Sequence, residues 1–232
     1  MGVQYYRLEP RAFTLGECWR LVREPFAFLT VLLCKWGLKT WNFPVTLSAV
    51  DSWPEIDPAD MLPDAAARID RAVAELEALG CSVVAFGSIP QIGFNQHHHA
   101  VLLLSTDRYV GVAVTDFVSG HVVESIVGLT TRYHDGTFGI TINARNVFTV
   151  PANQLHDHCP GLGAAEVYER HRSNLERWQT GGHTAGTFEP REASIVAAQL
   201  SQESAEHLED RGIFVRLTED EIDDRRDNLR RR

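Results

Sequence analysis

The segment HHAVLLLSTDRYVGVAVTDF, residues 98–117, decides the fold. Two runs rich in valine and leucine, His98–Ser105 and Arg108–Phe117, flank the pair Thr106-Asp107. A connection that short joins antiparallel neighbours, so the segment reads as a β-hairpin. The pattern continues outward on both sides. Cys81–Ile89 precedes it as a strand, His121–Tyr133 follows across Ser119-Gly120, and Thr137–Asn143 follows across Asp135-Gly136. Asp-Gly is a strong hairpin signal, because both central residues of a type I′ turn take positive φ. The expectation is an antiparallel five-stranded β-meander over residues 81–143.

Helical periodicity flanks the meander. Between Pro63 and Leu79, the residues Ile69, Ala72, Val73 and Leu76 recur at the spacing of one buried helix face. Pro63 suits a first helical turn and Gly80 suits the position just past the end. Between Gly163 and Gln179, Ala164, Tyr168, His171, Leu175 and Trp178 form a second stripe. The fold class is therefore α+β: a five-stranded meander flanked by amphipathic helices, in a core domain of residues 1–180.

Elsewhere the reading is coarser. Thr14 and Glu17 have capping-box spacing and open a short helix that ends near Glu24, before Pro25. Pro25–Leu38 is the most apolar stretch, interrupted by Lys35 and shorter than the ~20 residues of a spanning helix. It reads as a buried helix or strand, or as a surface-docking segment, since Trp36 and Trp41 lie near Lys35 and Lys39. Thr40–Val50 reads as extended with a bend or edge at Pro44, and Asp51–Leu62 and Pro151–Gly163 read as loops. After a Gly-rich linker at Gln179–Glu189, residues 190–232 form a helical C-terminal extension. A second capping box, Thr218 to Glu221, opens its tail helix, acidic first and basic last. Its low apolar content favours a mobile or partner-dependent segment.

Composition narrows the function classes. The chain has 232 residues, 44% of them hydrophobic, with a net charge of -9. That supplies a full-sized core and makes nucleic acid an unfavoured partner, because phosphate backbones call for excess positive charge. Cys18, Cys34, Cys81 and Cys159 are scattered without a C-x-x-C pair, and the polar start is unlike a signal peptide. The expectation is reduced thiols in a cytoplasmic protein with no transmembrane segment.

Three constellations could carry chemistry. His97 and His99 share one face of a strand, and His156-Asp157-His158-Cys159 lie together downstream. Imidazole, carboxylate and thiolate suit a divalent transition metal such as Zn, with Asp157 as ligand or base; the same residues also occur in hydrogen-bonded turns without metal. His171, on a buried helix stripe, is a candidate catalytic group or a satisfied core residue. Cys159, beside His158, is a candidate nucleophile. Glu124, Arg132 and Asn143 are candidate ligand-binding residues on a polar sheet face. Gly161-Leu162-Gly163 before a helix could offer two amides to an anion. No nucleotide-binding or nucleophile-elbow motif is present.

The function expected on these grounds is a binding or interaction module that takes a protein or small molecule through an exposed sheet face or the helical tail, oligomeric or not. The alternative is a metal-dependent hydrolase-like enzyme using His97, His99, His156 and His158. A third reading is membrane-surface association through Phe26–Trp41.

Overall fold

The computed structural model describes residues 3–38, 47–50, 53–89, 96–119 and 122–230. Lys39, Thr40, Trp41 and Pro44, the turn residue Gly120 with His121, and the terminal Arg231 and Arg232 lie outside the described residues.

Strand β1 (Val3–Leu8) leads into helices α1 (Leu15–Val22) and α2 (Pro25–Lys35), then strand β2 (Leu47–Val50) and helix α3 (Pro63–Ala78). Strands β3 (Cys81–Ser88), β4 (Gln96–Ser105), β5 (Gly111–Ser119), β6 (Val122–Arg132), β7 (Phe138–Ile142) and β8 (Gln154–His158) follow. Helices α4 (Ala164–Thr180) and α5 (Glu192–Asp210), strand β9 (Phe214–Arg216) and helix α6 (Glu219–Arg230) complete the order.

The fold is α+β, and its main sheet has six strands in the order β3-β4-β5-β6-β7-β8. The five expected strands form the antiparallel part, and β8 joins β7 in parallel, Phe138 opposite Gln154 through Ile142 opposite His158. This corrects the count of five and the loop reading of Pro151–Gly163. The residues of β8, QLHDH, carry no apolar run, and they pair only after a long crossover that leaves no turn signal.

Alternation sorts the sheet into two buried faces. Val101, Leu103, Val112, Val114, Val127 and Leu129 point to α3 and α4 and pack on Ile69, Leu76, Val167 and Tyr168. Leu104, Phe138 and Ile140 point the other way and meet Phe188 and Val196, while Ala100 meets Ala198 and Trp53. Val196 and Ala198 belong to α5, so a helix with little apolar content covers the second face. Its other side packs Ala205 on Tyr6 and Phe214 of a second sheet, ordered β2-β1-β9. Tyr5, on the opposite face of β1, meets Leu217, just after β9, and Ile222 of α6.

The helix α5 lies between two sheets because it presents small residues to each. Alanine allows close approach and loses no side-chain entropy. Two narrow stripes do not read as one amphipathic face, so the sequence pattern suggests a solvated helix. Of the expected extension, residues 190–230 thus pack on the core through α5 and α6, and the sheet face expected to lie open is occupied.

Two capping boxes form as expected. At α1, the Glu17 backbone N–H donates to Thr14 Oγ1 and the Thr14 backbone N–H donates to Glu17 Oε2. At α6, Thr218 and Glu221 exchange the same pair of bonds. Pro25–Lys35 is a helix, with Val31 buried against Leu8, Phe13 and Cys18 and with Cys34 buried as well.

Gly139 in β7 marks a close approach. A Cβ there would lie 2.5 Å from the Trp178 ring and 2.9 Å from the Tyr133 hydroxyl. Gly139→Ala is expected to cost about 2 kcal/mol through overpacking, read as a lowered urea midpoint at unchanged slope. A neutral result would mean that the indole of Trp178 moves freely off the sheet.

Candidate functional site

The alternation of β4 divides its three histidines. His98 points towards α5, edge-on to Trp53 and Phe117. His97 and His99 point to the α3 side, where His99 lies opposite Asp116 of β5. Asp116 occupies the buried parity of Val112 and Val114, and its side chain is fully buried. Arg68 of α3 clamps it: Nε donates to Oδ1 at 2.6 Å and Nη2 donates to Oδ2 at 2.9 Å. His97 Nε2 lies 3.0 Å from the same Oδ2. Burial pushes the Asp116 carboxyl up, but the bonds from Arg68 and His97 outweigh it and hold the group below the usual carboxylate range. His99 is buried beside His97, rings 5.2 Å apart, and neither of its nitrogens has a hydrogen-bond partner among the described residues. Burial, then the charge of His97, keeps His99 below the usual imidazole range.

Arg68 also borders a cleft of about 560 Å³ between α3, the sheet and the start of α4. Asp64, Arg68, Arg71 and Glu75 recur at i, i+4, i+7 and i+11, so one charged stripe of α3 forms its wall. Ser125, Val127 and Asn143 form the floor. Asn143 is held by the strand edge, its Oδ1 accepting from the Val127 N–H at 2.8 Å and its Nδ2 donating to the Leu162 carbonyl at 3.3 Å. At the start of α4, the Gly163 N–H donates to Glu166 and the Ala165 N–H donates to Glu75. The anion-binding position expected at Gly161-Leu162-Gly163 is therefore filled in part by the protein's own carboxylates. Arg71 is exposed and has no ion pair among the described residues.

The other histidine pair is elsewhere. His156 and His158 lie on β8, on the face towards α5, with rings stacked 5.2 Å apart. Gln154 Oε1 meets His156 Nε2 at 3.0 Å and the Ala144 carbonyl meets His158 Nδ1 at 3.1 Å. Three strands separate β4 from β8, a span of roughly 19 Å at the usual strand spacing, and the pairs point to opposite faces. The structure does not bring His97 and His99 to His156 and His158. Among the described residues no three His, Cys, Asp or Glu groups converge as metal ligands.

Asp157 faces α4 and is bonded by Arg170 Nε and Asn174 Nδ2, each at 2.7 Å. Cys159 donates its thiol to the Ile142 carbonyl at 3.3 Å, and burial, then Asp157, pushes its pKa up, the opposite of an activated thiolate. Arg132 reaches Glu192 and the Thr187 carbonyl and lies over the Phe188 ring. Glu124 is exposed on the same face of β6 as Arg132, whereas Asn143 faces α3, so the three do not line one groove.

His171 closes a buried chain of polar groups beneath α4. Thr131 Oγ1 donates to the Tyr109 carbonyl, so it accepts from His171 Nε2 at 3.0 Å. That leaves Nδ1 as an acceptor for the Thr141 hydroxyl at 2.9 Å, and Thr141 accepts from Asn174. Every link is satisfied with a neutral imidazole. Burial, then Arg172, lowers the His171 pKa to about 3.

Arg68 and Asn174 were not singled out by sequence reasoning, although a signal for the partner of Arg68 existed. Asp116 stands at a core parity of its strand, and a buried carboxylate requires a cation or several donors. No family model, no curated protein and no solved structure matches the chain.

Proposed function

We propose that the protein is a binding module for a small polar molecule, taken up in the cleft between α3 and the main sheet. The observation that carries this reading is the cleft of about 560 Å³ itself, within the size range of small-molecule sites. Its wall is braced by the Arg68–Asp116 clamp, so little ordering is required on binding. Arg71 is available for a carboxylate or similar anionic group, while Asp64 on the same wall suits a cationic one. A ligand carrying both charges, such as an amino acid or a derivative, fits that pattern best.

The test is calorimetric titration of the full chain with a panel of amino acids, dicarboxylates and amines. Binding by at least one zwitterionic member is expected, weakened about tenfold or more by Arg71→Ala, the loss of one charge-assisted contact. Arg71 is exposed, so the variant should keep its urea midpoint. No binding across the panel, or binding indifferent to Arg71→Ala, would overturn the reading.

A further inference from the structure

Helix α2 is apolar on all sides, PFAFLTVLLCK, yet only one stripe of it is buried. Val31 and Cys34 point into the core. Phe26, Leu29 and Trp36, on the opposite stripe, are 89%, 52% and 61% exposed. Leu15 and Trp19 extend the surface along α1, with Trp19 edge-on to Phe28 at 5.4 Å, and Leu38 continues it past the end of α2. Six of the ten large hydrophobic side chains that are exposed among the described residues fall within residues 15–38. The other four are scattered, as single exposed apolar residues commonly are.

The charges around this surface differ from those of the whole chain. Residues 11–38 carry Arg11, Arg20, Arg23 and Lys35 against Glu17 and Glu24, a balance of +2, whereas the chain as a whole is -9. Glu17 is buried and taken by Arg211, at 2.7 Å and 3.1 Å. Arg11, Arg20 and Arg23 have no carboxylate partner among the described residues, and Arg20 Nε is buried with no acceptor.

We infer that the α1–α2 hairpin docks onto an anionic lipid surface, with Phe26, Leu29 and Trp36 inserted and the unpaired arginines against the headgroups. Aromatic side chains on one face and cations beside them are what an interfacial helix requires. With 11 residues, α2 is about 16 Å long, which suits lying in the interface. No helix of the described residues is long and apolar enough to cross a membrane. A second copy of the chain is a poorer occupant, because a two-fold contact sets the patch, with its balance of +2, against the same patch. This inference stands apart from the cleft, which lies on α3.

The experiment is co-sedimentation of the full chain with phosphatidylcholine vesicles, with and without phosphatidylserine, together with sedimentation velocity in the absence of lipid. The expected result is binding to the phosphatidylserine vesicles, weakened by salt. It should fall about tenfold or more in Phe26→Ser/Trp36→Ser, with a smaller loss in Arg23→Glu. Both substituted aromatics are largely exposed, so an unchanged urea midpoint verifies the fold. No binding by the native chain, or binding unaffected by the aromatic substitutions, overturns the inference. A dimer without lipid that Phe26→Ser/Trp36→Ser disperses would assign the patch to a second copy and overturn it equally.

Discussion

Replacing Arg68 by alanine is expected to destabilise the protein by about 3 kcal/mol, the lower end of the cost of breaking a buried ion pair. The lower end applies because the Arg68 side chain is 35% exposed while that of Asp116 is fully buried. In the variant, Asp116 keeps one hydrogen bond, from His97 at 3.0 Å, and loses two charge-assisted bonds from Arg68. A buried carboxylate with so few donors either carries its charge at high cost or takes up a proton. The gap in stability between the variant and the native chain should therefore narrow as pH falls towards 5. The double substitution Arg68→Met/Asp116→Leu removes both charges and should recover most of the loss. Urea unfolding at pH 7 measures all three chains. A loss below about 1 kcal/mol for Arg68→Ala would show that water reaches Asp116 and that the clamp is not buried in solution.

Acid should weaken the native protein well before its carboxylates titrate. Burial, then the charge of His99, lowers His98 to about 4. Burial, then His158, lowers His156 to about 4, and His171 is lowered to about 3. The folded state therefore binds fewer protons than the unfolded state between the ordinary imidazole value of about 6.5 and these lowered values. Stability rises with pH across that window, is complete above it, and is lost as pH falls through it. By pH 5 each of the three histidines should have cost about 2 kcal/mol, several kcal/mol together. Carboxylates do not offset this loss. Glu17, where burial is outweighed by the bonds from Arg211 and Thr14, is held at about 2 and contributes until pH falls below its ordinary value. Chemical denaturation at pH 7.5, 6 and 5 should show the decline. His98→Phe, which keeps ring packing against Trp53 and Phe117, should make it shallower by about one proton. Equal stability at pH 7.5 and 5 would mean that these imidazoles are hydrated in the native state.

The sequence by itself determined the elements whose signals are local. The meander follows from alternation and from turn signals between the strands, although the connections at 106–110 and 133–137 are five residues long rather than two; α3 and α4 follow from their apolar stripes, and the two capping boxes from residues three apart. Each involves atoms that are neighbours whatever the rest of the chain does. Tertiary structure alone decided what those elements meet. Strand β1 pairs with residues 47–50 and 214–216, and no pattern within Val3–Leu8 names such distant partners. The polar strand β8 exists because β7 offers a free edge, and α5 reads as a surface helix until two sheets close on its alanines. The site divides in the same way. Two histidine pairs that look alike in sequence are placed on opposite faces, because the period-2 alternation of each strand is set by its own register. Arg68 and Asp116, 48 residues apart, become one unit only when α3 lies across the sheet.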